Sequence, residues 1–588
     1  MAQYKAPLRD IRFLLEEVFD YPHTIATFEA FRDFDLDTVM AMVEQVGDFA
    51  ANEMLPLNKS GDAAGIQLDP ATHTVTTPAG YKELYRAFVE QGLVSLTQPA
   101  EFGGTGAPHC LNTVLGEIQT SCNLAFALAP GLSHGAMEAL EHHAAPALRD
   151  VYLPKLVSGE WMATMCLTEP QCGTDLGLIS TKAQAEGDHW KLTGTKIWIT
   201  WGEHDLTENI IHLVLGRLPD APAGIKGISL FLVPKILPDG TRNAITCGGL
   251  EHKMGIHASP TCVMNMEGAH AWLVGEPHKG MRGMFTMMNA ARLMVGVQGL
   301  GAAEFAYQTA LRFAKERRQS RSLNPARREA GQAADVILVH PDVRRMLLNI
   351  KASNEGLRAL AYWTAINTDL SRSHPDERAR QGAADLVALL TPLAKSYLTE
   401  RGFDNISDAM QVCGGSGYTR DWDIEQTMRD ERIAMIYEGT NHIQAIDLVG
   451  RKLGEDHGRL YHVFGEKISL FLKKNSANSA LTDFALPLSK VFGRLNEATQ
   501  LLATQGQPDP EFADAVASNY LNLFSLTAIA YLWCLQVKAA LGQTDAFHLT
   551  KVKTARYFFD CILPETATLS ALIRAGKGNM MDFAVEEF

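Results

Sequence analysis

The middle of the chain contains MCLTEPQCGTDLGLISTKA, from Met165 to Ala183, followed at strand spacing by KIWIT, from Lys196 to Thr200. The TEP and CGTD groups of the first stretch are typical of a loop. Gly173 lets the backbone approach another molecule closely, while Thr168, Thr174 and free NH groups can bond an anion or a heterocycle. By itself this stretch is more simply interpreted as an ordinary surface loop, so its meaning depends on what surrounds it.

Short runs of β-branched and aromatic residues surround these stretches between residues 165 and 275. Turn residues such as GD, PDG and GEP separate the runs, which is the pattern of successive strands. The runs are HWKLTGTKIWIT, IIHLVLGRL, GISLFLVPKI, CVMNMEG and AWLVG. We therefore predict an antiparallel β domain over residues 163–280.

Helical patterns flank this β region on both sides. Apolar residues recur three and four apart over residues 35–162 and again, in long stretches, over residues 281–460. The second region predicts a bundle of long antiparallel helices. Residues 1–34 are interpreted as an extension and residues 461–588 as a further helical domain. The predicted fold class is therefore mainly α with a central β domain.

The composition makes some functions improbable. The chain has 588 residues and a formal net charge of -14, so no basic face for nucleic acid is predicted. Its nine cysteines form no CxxC pair and are interpreted as reduced core residues. The first residues mix charged and apolar side chains and lack the apolar stretch of a secretory signal. We expect a cytoplasmic protein.

Several patterns that could suggest a functional site are interpreted as structure instead. The stretch from Ala515 to Val537 is uncharged and long enough to span a bilayer, but its polar residues favour a buried helix over membrane insertion. GGTG at 103–106 and GLGAAE at 299–304 lack the strand-to-helix context of a dinucleotide site. The residues of Glu141–His143 are adjacent and face different sides of a helix, so no metal site is predicted. The charges of Arg429–Arg432 predict salt-bridged helix surface.

A third stretch, MIYEGTNHIQ from Met435 to Gln444, completes a set of spaced motifs. Together with TEP, CGTD and WIT, it resembles the signatures of the acyl-CoA dehydrogenase family. The resemblance implies a helical domain, a β-barrel-like domain and a four-helix bundle. It also implies a non-covalently bound FAD and the conversion of an acyl-CoA into its trans-2-enoyl-CoA.

The resemblance implies cofactor contacts residue by residue. The backbone of Leu167 and the hydroxyl of Thr168 match positions on the pyrimidine side of the flavin. Thr174 matches a pyrophosphate contact, and Trp198 and Thr200 match positions beside the ring. The complete set of predicted cofactor-binding residues is Met165, Leu167, Thr168, Gly173, Thr174, Trp198, Thr200, Arg317, Gln319, Gln411, Gly414, Gly415, Thr440 and His442.

Two segments match FAD contacts that cross a subunit interface in this family. Gln411, Gly414 and Gly415 match a turn around the adenosine half of an FAD bound to a neighbouring subunit. Arg317 and Gln319 match a pyrophosphate contact, and arginine suits it because its forked donors are fixed. On its own, the KERR segment around Arg317 would be interpreted as solvated helix surface. These matches imply a homo-oligomer, either a dimer or a tetramer.

Glu438 matches the catalytic base of the family. The α-proton of a thioester is a weak acid, so its removal needs a positioned carboxylate and hydrogen bonds that stabilise the developing enolate. Gly439 would permit the tight turn that aims the carboxylate, and without these neighbours Glu438 would be interpreted as an acid near a helix N-terminus. Some members carry the base at the position of Ala291, which cannot accept a proton. The predicted substrate-binding residues are Arg292, Thr174 and Gly439.

Three segments beyond the common core resemble a larger bacterial subgroup of the family, which includes 3-methylmercaptopropionyl-CoA dehydrogenase of dimethylsulfoniopropionate breakdown. They are the N-terminal opening, the insertion SLNPARREAGQAADVILVHPDVRRMLL and the C-terminal tail. The expected substrate is 3-(methylthio)propionyl-CoA, with short or medium straight-chain acyl-CoAs as the alternative, and the expected electron acceptor is an electron-transferring flavoprotein. An acyl-CoA oxidase stays open, because it uses the same half-reaction. The fold is also shared by a DNA-associated alkylation-response flavoprotein, but the acidic net charge and the intact YEGT motif argue against that alternative.

Overall fold

The computed structural model describes residues 3–588, which fold into two compact units. The helical unit comprises the residues up to Asp48, Pro108–Ser121 and Val295–Phe588. The sheet unit comprises Phe49–Ala107 and Cys122–Met294.

Most of the chain is helical, as the sequence predicts. The first helices in chain order are α1 (Leu8–Phe13), α2 (Leu36–Phe49), α3 (Leu55–Ala64), α4 (Tyr81–Glu90), α5 (His109–Cys122), α6 (Leu124–His143), α7 (Pro146–Val157), α8 (Gly280–Glu316) and α9 (Pro341–Ser373). The others are α10 (Glu377–Cys413), α11 (Ile424–Glu431), α12 (Asn441–Asp447), α13 (Arg459–Lys474), α14 (Thr482–Leu501), α15 (Pro510–Ala540), α16 (Ala546–Tyr557), α17 (Glu565–Ala575) and α18 (Gly578–Met581).

The strands of the sheet unit form a hairpin and a barrel-like sheet. They are β1 (Gln67–Asp69), β2 (Thr74–Thr76), β3 (Trp161–Cys166), β4 (Lys182–Glu186), β5 (His189–Thr200), β6 (Asn209–Arg217), β7 (Ile228–Pro234), β8 (Ile245–Leu250) and β9 (Thr261–Val274). The larger sheet has the order β3-β6-β4-β5-β9-β7, and β8 pairs with β9. An additional pairing of β6 with β7 closes the ring of β6, β4, β5, β9 and β7, which confirms a central β-barrel-like domain.

The expectation of a purely antiparallel β domain is wrong. Strand β3 pairs in parallel with β6, over Trp161–Cys166 and Asn209–Val214. Parallel strands need a long connection, and here the loop after β3 and the β4–β5 hairpin supply it before the chain returns in the same direction. Residues 35–162, predicted as helical, also contain the β1–β2 hairpin. Val75 of β2 joins the apolar core of the barrel.

Within the helical unit, α8 and α10 approach each other closely. A Cβ atom at Gly299 would lie 2.5 Å from the carbonyl oxygen of Leu398, and one at Gly402 would lie 2.5 Å from that of Gly299. Glycine is therefore required at both positions. This confirms that GLGAAE lies inside a helix, where its small residues permit close packing.

Helix α15 contains the uncharged stretch from Ala515 to Val537. Among residues 3–588 it alone is long and apolar enough to cross a membrane, and 83% of its 18-residue apolar window is buried inside the protein. It packs against α14, α16 and α17 of the same unit. The stretch therefore forms a largely buried helix, as predicted.

The N-terminal extension is attached by ion pairs to the rest of the helical unit. Asp10 of α1 pairs with Arg358 of α9 at 2.6 Å and also with Lys551 of α16. Arg358 in turn contacts Glu117 of α5 at 2.6 Å. Because these groups are buried, the segment before the common core is held by charges as well as by apolar packing.

Eight of the nine cysteines are buried as predicted, but Cys561 is exposed.

Candidate active site

A strained turn precedes α12 and contains the predicted base. Glu438 has a φ of 56° and Gly439 a φ of 81°, so two successive residues adopt the left-handed conformation. That conformation costs a non-glycine residue about 1 to 3 kcal/mol and persists only where the surroundings impose it. Thr440 then begins the helix by accepting a hydrogen bond from the backbone N–H of Ile443 at 3.3 Å. We call residues 438–440 the catalytic turn.

Two side chains of α12 hold the catalytic turn. Gln444 donates from Nε2 to the carbonyl oxygens of Glu438, at 3.1 Å, and Gly439, at 3.3 Å. Asn441 binds α10, because its Oδ1 accepts from Lys395 Nζ at 3.0 Å and its Nδ2 donates to the carbonyl of Ser396 at 3.2 Å. Gln444 and Lys395 are completely buried. The turn is therefore fixed to the bundle through the half-buried Asn441 and the buried side chains of Gln444 and Lys395.

A buried carboxyl group lies in the preceding segment. Glu431 is fully buried, and within residues 3–588 neither of its oxygens has a hydrogen-bond partner. Burial raises its pKa well above the ordinary value, although Lys395 opposes the shift. The pKa of Tyr437 is also raised, by burial and by the nearby charges of Glu431 and Glu438.

The prediction that Arg429–Arg432 are salt-bridged helix surface is therefore wrong for Asp430 and Glu431. Asp430 and Glu431 are buried because this end of α11 packs against α10. Arg429 does form a salt bridge, with Glu425 one turn earlier at 2.7 Å, but both side chains are partly buried.

His442 links α12 to the C-terminal region. Its Nε2 lies 2.7 Å from Asp514 Oδ1, and its Nδ1 lies 2.9 Å from Ser518 Oγ. Both partners belong to α15. The predicted cofactor-binding histidine thus has both ring nitrogens in hydrogen bonds with another helix of its own unit.

In the sheet unit, a buried ion pair organises the loop that follows β3. Lys196 Nζ lies 2.8 Å from Glu169 Oε1 and donates to the carbonyl of Leu167 at 2.9 Å. Glu169 also accepts hydrogen bonds from the backbone and hydroxyl groups of Ser180 and Thr181. Burial opposes the charge of Glu169, but Lys196 and these hydrogen bonds outweigh it and hold its pKa well below the ordinary value. The ion pair between Lys196 and Glu169 therefore links the KIWIT strand to the TEP segment of the loop.

A β-bulge presents the indole of Trp198. The pairing of β5 with β9 shifts between Lys196 and Ile199, and the freed N–H of Ile197 donates to the carbonyl of Thr168 at 2.9 Å. Trp198 takes a left-handed φ of 64° and remains 55% exposed. Bulges redirect side chains in this way and are frequent beside functional sites.

The polar groups around this bulge form one surface of the sheet unit. Leu167 and Thr168 are half-buried, and Gly173 and Thr174 are exposed. The structure thus brings the loop after β3 and the KIWIT strand together, as the resemblance implies. The other predicted positions lie on the same strands, with Met165 buried in β3 and Thr200 half-buried at the end of β5.

A second group of predicted residues lies at one end of the bundle in the helical unit. One segment follows α8 and contains Arg317 and Gln319. The other contains Gln411, in the last turn of α10, and the glycines Gly414 and Gly415 immediately after that helix. All five residues are exposed. The adjoining ends of the two helices share an apolar core. The structure therefore brings these two segments together within the unit.

The predicted substrate residue Arg292 lies in the first part of α8. It is buried, and its Nη1 is 3.5 Å from Asn289 Oδ1. Ala291 precedes it and offers no titratable group.

Comparisons with known proteins agree over nearly the whole chain. Models of the acyl-CoA dehydrogenase N-terminal, middle and C-terminal domains match residues 37–160, 164–269 and 278–453. A model described as acetyl-CoA dehydrogenase C-terminal like matches residues 464–584. A 3-methylmercaptopropionyl-CoA dehydrogenase from Ruegeria pomeroyi is 41% identical over 96% of both chains. This chain belongs to the acyl-CoA dehydrogenase family.

Further members of the acyl-CoA dehydrogenase family support the assignment at the level of the complete chain. A butyryl-CoA dehydrogenase from Syntrophomonas wolfei is 31% identical over 100% of this chain and 99% of its own. The structure of Caenorhabditis elegans ACDH-11 in complex with C11-CoA superposes with a TM-score of 0.79 at 18% identity, covering 99% of this chain and 96% of that one. The second comparison concerns the fold alone. It includes the helices after residue 460, so the additional C-terminal region belongs to a known form of this fold.

As an acyl-CoA dehydrogenase, the chain is a flavoprotein oxidoreductase of a family that uses FAD. Its residues fit that cofactor. The sheet unit presents an exposed indole at Trp198 beside hydroxyl and backbone groups of the loop, which suits a planar heterocycle with polar edges. The exposed guanidinium of Arg317 suits a pyrophosphate.

The residues that support these groups are absent from the predicted site. Glu169, Lys196 and Gln444 all lie inside the quoted motifs, yet no role was predicted for them. A buried charge within a loop motif is the signal that could have identified Glu169 and Lys196, since charges are almost never fully buried unless paired.

Proposed function

We propose that this acyl-CoA dehydrogenase oxidises a short acyl-CoA to the trans-2-enoyl-CoA, with Glu438 as the base. The carboxylate of Glu438 takes the proton from C2, and a hydride leaves C3 as the C2=C3 double bond forms. FAD, when bound, accepts that hydride. The observation that carries the proposal is the catalytic turn, in which a glutamate occupies a strained left-handed position that its neighbours impose.

The remaining site residues support this reaction. The backbone N–H of Glu438 is proposed to stabilise negative charge on the thioester oxygen, as hydrogen-bond donors aimed at a developing oxyanion do. Arg292, Thr174 and Gly439 are proposed to contact the substrate. The fourteen positions named above from Met165 to His442 are proposed to contact FAD, some of them on the FAD of a neighbouring subunit.

The proposed substrate is 3-(methylthio)propionyl-CoA. The relative from Ruegeria pomeroyi, at 41% identity, supports it, while the butyryl-CoA dehydrogenase, at 31%, supports a straight-chain alternative. A thioether sulfur replaces one methylene of a five-carbon acyl chain, so the two classes differ little in shape. Acyl pockets separate neighbouring chain lengths by only about 1 to 3 kcal/mol, so the proposed preference is a matter of degree.

The substrate is tested by anaerobic reduction of the holoenzyme. Flavin absorbance is followed with 3-(methylthio)propionyl-CoA, butyryl-CoA and pentanoyl-CoA, and the first should give the highest ratio of reduction rate to dissociation constant. A higher ratio for pentanoyl-CoA would replace the proposed substrate with a straight-chain one.

The base is tested by Glu438→Gln in the same assay. We expect the variant to retain FAD and to bind acyl-CoA while flavin reduction falls by several orders of magnitude, because the amide cannot accept the proton. Reduction at nearly the wild-type rate would show that Glu438 is not the base.

We further propose that the enzyme is a cytoplasmic homo-oligomer that passes its electrons to an electron-transferring flavoprotein. Reoxidation of the reduced enzyme by that protein should be much faster than reoxidation by air. Fast peroxide formation in air would instead indicate an acyl-CoA oxidase with the same base.

A further inference from the structure

The conformation of the catalytic turn needs a cause outside the turn itself. A glutamate does not favour a φ of 56°, and the glycine that follows it has no side chain with which to hold the backbone there. Such a conformation reverts unless surrounding groups determine it. The helix α12 that begins immediately afterwards supplies those groups.

Gln444 is the side chain that contacts the turn directly. Its Nε2 lies 3.1 Å from the carbonyl oxygen of Glu438 and 3.3 Å from that of Gly439. Both neighbours are acceptors, so only the NH2 side of the amide can face them. A Cβ atom at Gly439 would lie 2.8 Å from Nε2, so a side chain there would displace the amide of Gln444.

Gln444 is itself held in place. It is completely buried, and its backbone N–H donates to the carbonyl of Thr440 at 3.1 Å. The start of its helix is fixed to α10 by Asn441, which binds Lys395 Nζ at 3.0 Å. A chain of short polar contacts therefore runs from α10 through α12 to the two carbonyls of the turn.

We propose that Gln444 is a positioning residue for the base, which keeps Glu438 and Gly439 in their left-handed conformations by donating to both of their carbonyls. The inference rests on the proposed role of Glu438. Orientation of the two peptide groups sets the direction of the carboxylate and of the N–H of Glu438. Loss of these two hydrogen bonds should therefore lower the rate at which bound substrate reduces the flavin. It should leave the affinities for the acyl-CoA and for FAD largely unchanged.

The first test is Gln444→Met, which keeps the size of the side chain and removes the donor. Gln536→Met is the matched control, because Gln536 is also a completely buried glutamine of the helical unit but lies on α15 and contacts Lys551. Flavin reduction at saturating acyl-CoA should fall about 100-fold in Gln444→Met, the scale expected from a misplacement of about 1 Å. The dissociation constant of acyl-CoA and the FAD content should stay within about threefold of the control.

Two outcomes would overturn the inference while leaving the proposed function intact. In one, Glu438→Gln is inactive but Gln444→Met reduces its flavin as fast as Gln536→Met. In the other, the rate of Gln444→Met falls together with FAD content or acyl-CoA binding, which would make Gln444 a general structural residue. An active Glu438→Gln variant would instead contradict the proposed function itself.

Gln444→Glu provides a second test that remains decisive if the methionine variant does not fold. The introduced carboxyl can donate to a carbonyl only while it is protonated. Its flavin-reduction rate, divided by that of the wild-type enzyme at the same pH, should therefore fall as pH rises. A pH profile identical to that of the wild-type enzyme would overturn the positioning role.

Discussion

Replacing Lys196 with methionine tests whether the buried ion pair holds the loop proposed to bind FAD. The pair joins Lys196 Nζ to Glu169 Oε1 at 2.8 Å, and both side chains are buried. Methionine keeps most of the apolar stem and removes the charge. Breaking a buried pair by removing one partner costs about 3 to 5 kcal/mol, because the other charge is left uncompensated.

The expected cost lies near the lower limit of that range. Glu169 retains its hydrogen bonds from Ser180 and Thr181 after Lys196 is removed, while the carbonyl of Leu167 loses its donor. A loss of about 3 kcal/mol corresponds to a fall of roughly 6 to 12 °C in the unfolding temperature of a unit of this size. FAD content should fall as well, since Leu167 and Thr168 belong to the same loop.

The measurement is thermal unfolding of the purified holoenzyme, with FAD content taken from its absorbance. Lys191→Met is the matched control, because it removes another lysine of β5 that pairs with Glu186 at 2.6 Å but is accessible to solvent. Exposed pairs contribute about 0 to 1 kcal/mol. Equal unfolding temperatures and equal FAD contents for the two variants would refute the reasoning.

Two further predictions concern buried carboxyl groups of the helical unit. Burial raises the pKa of Glu431 well above its ordinary value of 4.5, so the wild-type protein loses stability as pH rises above that value, by about 1.4 kcal/mol per pH unit until the folded-state pKa is reached. Glu431→Gln should therefore be more stable than the wild type at pH 8 but not at pH 4. The unfolding temperatures of both proteins at both pH values test this. An equal difference in unfolding temperature at pH 4 and pH 8 would contradict it. The pKa of Asp10 is lowered from 3.8 to about 2, because Lys551 and Arg358 outweigh its burial. The pairing of Asp10 should contribute about 2 kcal/mol to the free energy of unfolding above pH 4, and this contribution is lost between pH 4 and pH 2. The destabilisation caused by Asp10→Asn should therefore shrink as pH falls over that interval. A destabilisation that stays the same would show that the pairing is not the cause.

Elements with a clear periodicity could be predicted from the sequence. The run HWKLTGTKIWIT coincides with β5, and the uncharged stretch inside α15 was predicted as a buried helix. In both cases one local pattern, alternation of β-branched residues or continuous apolarity, is enough to specify the element. The parallel pairing of β3 with β6 could not be predicted in this way, because it depends on the path of the intervening hairpin.

The candidate site was predictable only where its residues lie inside a recognised motif. Glu438 and Trp198 were identified by position, but their left-handed conformations were not, since nothing in their residue types requires a positive φ. The burial of Glu431 was missed for a similar reason. Its charged neighbours predict a surface, and only the packing of α11 against α10 removes it from solvent.

The two units hold their proposed functional segments by different chemistry, and the difference follows from what each segment does. No residue of the sheet-unit loop is proposed to transfer a proton, so a buried ion pair between Lys196 and Glu169 can fix the loop without disturbing that step. The catalytic turn carries the proposed base, and a cation bonded to its carbonyls would place a positive charge beside Glu438. Gln444 is neutral and donates two hydrogen bonds from one nitrogen, so it can impose the strained conformation without adding a charge beside Glu438. An uncharged donor is therefore the side chain that this position requires.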